Sequence, residues 1–205
     1  MSGRKGVRQA SVERNTTETR IRVRLRLDGS GVHKIRTTIP FLDHMLQLLS
    51  KHGLLDLTVE ARGDTDVDYH HTVEDIGIVL GEALKKALGT RDGITRYGTI
   101  SIPMDETLAT VSLDLSGRPY LVYHLPISKN QKIRSAAGNF PVELMEDFLA
   151  AFATHSGTTL HVNVPYGRDP HHVLEAAFKG LGRALRQAVA VDPRIKGAPS
   201  TKGRL

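Results

Sequence analysis

The sequence predicts an α/β (α+β) two-layer sandwich of two duplicated halves, each a mostly antiparallel β-sheet covered on one face by two helices. The first observation is a repeat. Asp68-Tyr69-His70-His71-Thr72-Val73-Glu74 returns as Asp169-Pro170-His171-His172-Val173-Leu174-Glu175, 101 residues later. The second is that the blocks ahead of it also match, residues 44–53 with residues 147–156 at an offset of 103. The third is that runs of period 2 and of helical period follow one another in similar order on both sides. Residues 1–92 are expected to form the first half with its N-terminal arm, 93–192 the second, and 193–205 a basic tail.

In the first half, residues 20–27 alternate polar and apolar, as a strand with one buried face does. Residues 34–39 are expected to pair back onto it across the Asp28-Gly29-Ser30-Gly31 turn. Pro40 opens a helix to about His52, with Phe41, Met45, Leu48 and Leu49 at helical spacing. Residues 55–61 alternate again, and a helix over 72–88 stops at Gly89. The second half reads as strands near 94–102, 107–115 and 120–125, a helix over 142–154, a strand over 158–164 and a helix over 171–189. Residues 128–139 show little periodicity and read as a mobile loop.

Composition narrows the function. With 205 residues, 40% apolar and 24% charged, the chain can build a core. It has no cysteine, which excludes disulfides and thiolate metal sites and suits a cytoplasmic location. No apolar run approaches a membrane span, and the basic start is followed by no apolar stretch of a secretory signal. The net charge of +6 raises the question of an anionic partner. Only 5% of residues are aromatic and none is Trp, so stacking platforms for nucleic acid are scarce. Arg4, Lys5 and Arg8 read as a solvated arm, and a small phosphorylated ligand accounts for the remaining basic residues.

The histidine pairs carry the chemistry. Neighbours on a helix diverge by about 100°, so His70 and His71 do not share one ion. Glu74 lies four residues beyond His70 and shares its face, as Glu175 does with His171. Each copy offers one His–Glu chelating pair and one histidine pointing elsewhere. Two metal ions follow, each taking a pair from one copy and a lone histidine from the other. His44 and its repeat partner Asp147 are candidates to complete the sites. One such motif alone would more often be surface histidines; its duplication in matched context carries the metal reading. Imidazole and carboxylate donors suit Mn, Fe, Co or Zn, and six-coordination favours Mn.

Phe41-Leu42-Asp43-His44-Met45, His52-Gly53, both histidine motifs, Arg14-Asn15-Thr16-Thr17-Glu18-Thr19 and Pro199-Ser200-Thr201-Lys202-Gly203 closely resemble the imidazoleglycerol-phosphate dehydratases, in order and over nearly the whole chain. The resemblance implies dehydration of D-erythro-imidazole-glycerol phosphate to imidazole acetol phosphate in L-histidine biosynthesis. It implies two Mn(II) ions per subunit, and trimers assembled into a 24-subunit shell with active sites between subunits. One ion would be held by His44, His71, His171 and Glu175, the other by His70, Glu74 and His172. Many relatives have a fourth histidine where this chain has Asp147, a shorter oxygen ligand. Arg96, Arg118, Lys179, Ser200 and Lys202 correspond to the substrate-phosphate residues, with Thr201 beside them and His52 as a substrate neighbour. Glu18 is the implied proton-transfer group, with Glu74 and Glu175 as further carboxylates at the reacting centre. His44, His70, His71 and His171 would also face the substrate, whose imidazole can act as electron sink if bound as an imidazolate between two cations. A dinuclear metallohydrolase acting on a small phosphoester, and a metal-buffering shell protein, are the alternatives.

Overall fold

The chain is described by a computed structural model over residues 6–134 and 138–202. In the first half, β1 (Gln9–Asn15), β2 (Thr19–Arg26) and β3 (His33–Arg36) precede helix α1 (Pro40–Gly53), β4 (Asp56–Gly63) and helix α2 (His70–Leu88). The alternation in β2 buries Ile21, Val23 and Leu25 and leaves the arginines between them outside. The sheet order is β1-β2-β4-β3. In the second half, β5 (Tyr97–Met104), β6 (Thr107–Asp114) and β7 (Tyr120–His124) precede α3 (Leu144–Ser156), β10 (Thr159–Tyr166) and α4 (Pro170–Ala188). That sheet has the order β5-β6-β10-β7, the same topology. In each sheet two pairings are antiparallel and the third, β3 with β4 or β7 with β10, is parallel.

The parallel pairings correct one expectation. Residues after the Asp28–Gly31 turn do not return to β2, because β4 lies between β2 and β3. The Asp56 carboxylate at the start of β4 accepts the Ser30 and Val32 amides (2.8 and 3.1 Å) and draws the chain across. Parallel strands need a crossover, and α1 and α3 provide it. One strand boundary differs, and one strand is additional. Arg96 is left-handed (φ 72°) and Ile94 bridges to Val191, so β5 begins only at Tyr97. Strand β1 was not anticipated, since Val12 alone among its residues is buried.

The expected mobile loop is partly structured. Its flanks form a ribbon of β8 (Lys132–Ile133) and β9 (Phe140–Pro141), anchored by buried Ile133 and Phe140. Residues 135–137, within that expectation, lie outside the described residues. Arg8, expected to be solvated, donates to Asp28 (2.8 Å) and to the Val189 carbonyl (2.6 Å); Arg4 and Lys5 lie outside the described residues.

The helices pair across the halves. Helix α2 lies over β1, β2 and β4, and α4 over β5, β6 and β10. Helix α1 packs on α4, and α3 on α2, so one continuous core spans both sheets. The crossings are close because the repeat supplies glycine at both. A Cβ at Gly182 would stand 2.6 Å from the Leu49 carbonyl of α1, and one at Gly81 would stand 2.7 Å from the Phe152 carbonyl of α3. Among the described residues, no helix is long and apolar enough to cross a membrane.

Candidate metal and substrate site

Each histidine pair sits in the first turn of a helix because the repeat puts an aspartate just ahead of it. Asp68 accepts the His70 amide (2.7 Å) and Asp169 the His171 amide (2.8 Å). At the α1–α4 crossing, His44 from α1 meets His171 and Glu175 from α4. Glu175 Oε2 lies 3.3 Å from His44 Nε2 and 3.1 Å from His171 Nε2. Lys179, one turn further along, places its ammonium 2.6 Å from the other carboxylate oxygen. Phe140 packs on Phe41, and Phe41 meets the His171 ring edge-on, so the ribbon buttresses this cluster.

Burial works against ionisation of Glu175, but the Lys179 ammonium and His44 outweigh it and hold the carboxyl below its ordinary range. An Nε2–H on either ring can donate to Glu175; in their Nδ1–H tautomers both rings instead turn an Nε2 lone pair toward the same carboxylate oxygen, and the three atoms then form a donor set for a cation. A divalent metal fits this donor set, and the three ligand atoms lie within 4.8 Å of one another. Among the described residues this is the grouping of three ligand side chains that converges so closely. His52 lies further along α1, where burial and the neighbouring Lys179 and Arg183 cations push it below its ordinary value.

A second cluster lies at the α2–α3 crossing. His70 stands 3.7 Å from Glu74 through Nε2 and 3.4 Å from Asp147 through Nδ1. Asp147 therefore does reach the neighbourhood of the second His–Glu pair. In this arrangement the two carboxylates face different ring nitrogens, so the three side chains do not converge on one point.

The lone histidines meet the cluster histidines beside them edge-on but engage carboxylates of their own. His71 Nδ1 lies 2.9 Å from Asp64 and 3.8 Å from Glu18, and His172 Nδ1 lies 2.9 Å from Glu106. Hydrogen bonds to Asp64 and Glu106 raise the pKa of His71 and His172. The Asp169 amide, His172 and the Arg168 amide together hold the Glu106 carboxyl far below its usual range. Sequence reasoning missed Asp64 and Glu106. A signal exists for the second: Glu18-Thr19 and Glu106-Thr107 both stand at the start of a strand. Glu18 is exposed in the β1–β2 turn, where Thr16 Oγ1 accepts its amide (3.1 Å). That turn is tied to α2 by Arg14 and Thr19, which donate to Asp75 (2.9 and 2.5 Å).

The expected phosphate residues divide. Arg96, Arg118, Ser200, Thr201 and Lys202 line one cavity of about 1170 Å³, together with Lys85 and Arg91. Arg96 also holds the tail there, donating twice to Asp114 (2.6 and 3.0 Å) and once to the Pro199 carbonyl (2.8 Å). Lys179 is not with them; it stays at Glu175. Strand β6 separates the two places. Its Thr107 end adjoins Glu106 and His172, and its Asp114 end adjoins Arg96 and Arg118. Its length puts them roughly 23 Å apart.

Known proteins share both the sequence and the fold of this chain. The sequence profile of the imidazoleglycerol-phosphate dehydratases matches residues 37–185. The chain belongs to the imidazoleglycerol-phosphate dehydratase family. The family member from Trichlorobacter lovleyi is 57% identical over 97% of this chain and 99% of its own, and that from Geobacter metallireducens is equally similar. The crystal structure of the dehydratase from Staphylococcus aureus superimposes with a TM-score of 0.78 at 37% identity, covering 90% of this chain and 99% of that one. The dehydratase from Pyrococcus furiosus gives 0.79 at 37% identity, covering 95% and 100%. Membership of this dehydratase family makes the chain a hydro-lyase.

Proposed function

We propose that this hydro-lyase converts D-erythro-imidazole-glycerol phosphate to imidazole acetol phosphate in L-histidine biosynthesis, using two divalent ions per subunit, Mn(II) in the first instance. The observation that carries the reading is the converged, half-buried His44–His171–Glu175 cluster, together with its repeat counterpart His70–Glu74–Asp147. Each cluster has the chelating pair and lacks one histidine of the set the family implies. His71 would complete the first and His172 the second, each supplied by another subunit. The separation of the metal ligands from the phosphate cavity supports the same arrangement, since one chain's Arg118 and Lys202 would serve another chain's metals. Assembly into trimers and a 24-subunit particle belongs to this proposal.

In the reaction the hydroxyl leaves the carbon attached to the imidazole, a proton leaves the adjacent carbinol carbon, and the resulting enol is protonated to the ketone. Divalent ions at the clusters would supply the positive charge that stabilises a deprotonated imidazole ring. The chain's residues position and move protons. Glu74 and Glu175 fix the clusters from one turn beyond their histidines. Arg118, Ser200, Thr201 and Lys202 bind the phosphate and set the distance to the reacting carbons, with Arg96 holding the tail in place. Glu18, exposed at its turn and close to His71, is the general acid–base group.

Incubating Mn(II)-loaded protein with imidazole-glycerol phosphate tests the activity. Keto product is expected. Release of free phosphate would mark a phosphoesterase, and no conversion would leave a metal-storage role. His71→Ala and His172→Ala should each abolish conversion and lose up to one ion per subunit. Chelation should shift the assembly to smaller species on size measurement, and a fully stripped 24-subunit particle would remove the metals as its linkage.

A further inference from the structure

The carboxylates that hold the two lone histidines come from different places in the duplicated fold. Cross-strand partners align β2–β4 with β6–β10: Val23 pairs with Val59 as Val111 does with Val162, and Arg26 with Asp56 as Asp114 does with Thr159. That register sets Thr19 on Thr107 and Glu18 on Glu106. Glu106 grips its histidine. Oε2 lies 2.9 Å from His172 Nδ1, and Oε1 accepts the Arg168 and Asp169 amides at 3.1 and 3.0 Å. Glu18 does not grip His71; its carboxylate stays 3.8 Å from Nδ1. Asp64 stands there instead, at 2.9 Å. Asp64 lies in the loop between β4 and the His70–His71 pair, which is two residues longer than the loop between β10 and His171–His172. The shorter loop begins at Gly167 and offers the backbone amides that Glu106 binds.

A carboxylate accepts and does not donate, so the ring nitrogen facing it carries the hydrogen. The other nitrogen then holds the lone pair that a metal needs. His172 Nε2 keeps 3.7 Å from the exposed Asp105 carboxylate, beyond hydrogen-bond reach. We propose that Asp64 and Glu106 are positioning residues that fix His71 and His172 as Nδ1–H tautomers with Nε2 turned outward to a metal. The move of this task from turn glutamate to loop aspartate in the first half releases Glu18 for proton transfer. The inference rests on the reading of both histidines as metal ligands.

Mn(II) and Co(II) titration of the chelated full-length protein tests it, with calorimetry for affinity and Co(II) absorption bands for ligand geometry. Asp64→Asn and Glu106→Gln keep shape. In Glu106→Gln the amide oxygen stays with the two backbone amides, so its NH₂ faces Nδ1 and drives the proton to Nε2. Each variant should bind one ion roughly 10- to 100-fold more weakly with altered Co(II) bands, and Asp64→Asn should do so without moving the melting midpoint of the chelated protein. Glu18→Gln, at the place equivalent to Glu106, should bind both ions with parental affinity. Parental affinity in both Asp64→Asn and Glu106→Gln overturns the proposal, as does an equal loss in Glu18→Gln. His172→Ala serves as reference. If it loses an ion while the two positioning variants do not, only the positioning role fails; if it keeps both ions, the ligand reading fails and this one with it.

Discussion

The cluster at the α1–α4 crossing and its counterpart at the α2–α3 crossing share a repeat motif but little of their surroundings. The Glu175 side chain is 11% exposed and that of Glu74 is 47% exposed. Lys179 braces Glu175, while the matching residue in the first half is Ile78. The third side chain beside the pair is His44 in one and Asp147 in the other. Repetition therefore carries over the His–Glu pair but not its third neighbour, and the residue one turn further along decides how firmly the glutamate is held. The α1–α4 cluster is already converged; the α2–α3 cluster has its donors at hand but facing different nitrogens of one ring.

The largest expected difference is in Glu175→Ala against Glu74→Ala. Both should abolish turnover, but in chelated protein Glu175→Ala strands the largely buried Lys179 ammonium and should cost about 3 kcal/mol in urea unfolding. Glu74→Ala should cost less than about 1 kcal/mol. Equal costs would erase the distinction between the clusters. Next come the helix crossings. Gly182→Ala and Gly81→Ala should each destabilise by about 1–3 kcal/mol, because the added methyl meets a backbone carbonyl. Gly182→Ala should weaken Mn(II) at the His44 cluster, and Gly81→Ala at the His70 cluster; calorimetry on each would show the reverse if the crossings do not set the ligand distances. The smallest effect is at Asp147. Asp147→Ala should weaken one Mn(II) about 10-fold and spare the other, and Asp147→His should restore it. Parental binding in both would make Asp147 a surface residue.

Much of this was legible because duplication repeats both spacing and periodicity. The i, i+4 pairing of His171 with Glu175 followed from residue numbers; the repeat named Asp147 as the counterpart of His44, but its approach to His70 depended on how the fold packs α3 on α2. Strand pairing did not. β3 is four residues long with only Ile35 buried, too little pattern to choose between β2 and β4. The crosswise helix contacts were hidden because an amphipathic stripe states that a face is buried, not which helix covers it. Asp64 and Glu106 were missed for a related reason. They lie in loops, where no period marks them, and the strand offset of 88 between Glu18 and Glu106 differs from the 101 and 103 of the helical repeats.

The length of β6 has a genetic consequence. A chain altered at His172 keeps an intact phosphate cavity, and a chain altered at Arg118 keeps intact metal ligands. If a working site draws these from different chains, two silent alleles can complement one another. Random co-assembly of His172→Ala with Arg118→Ala subunits would restore up to about a quarter of the sites, from two proteins that are each inactive alone. A site built within one chain admits no such rescue.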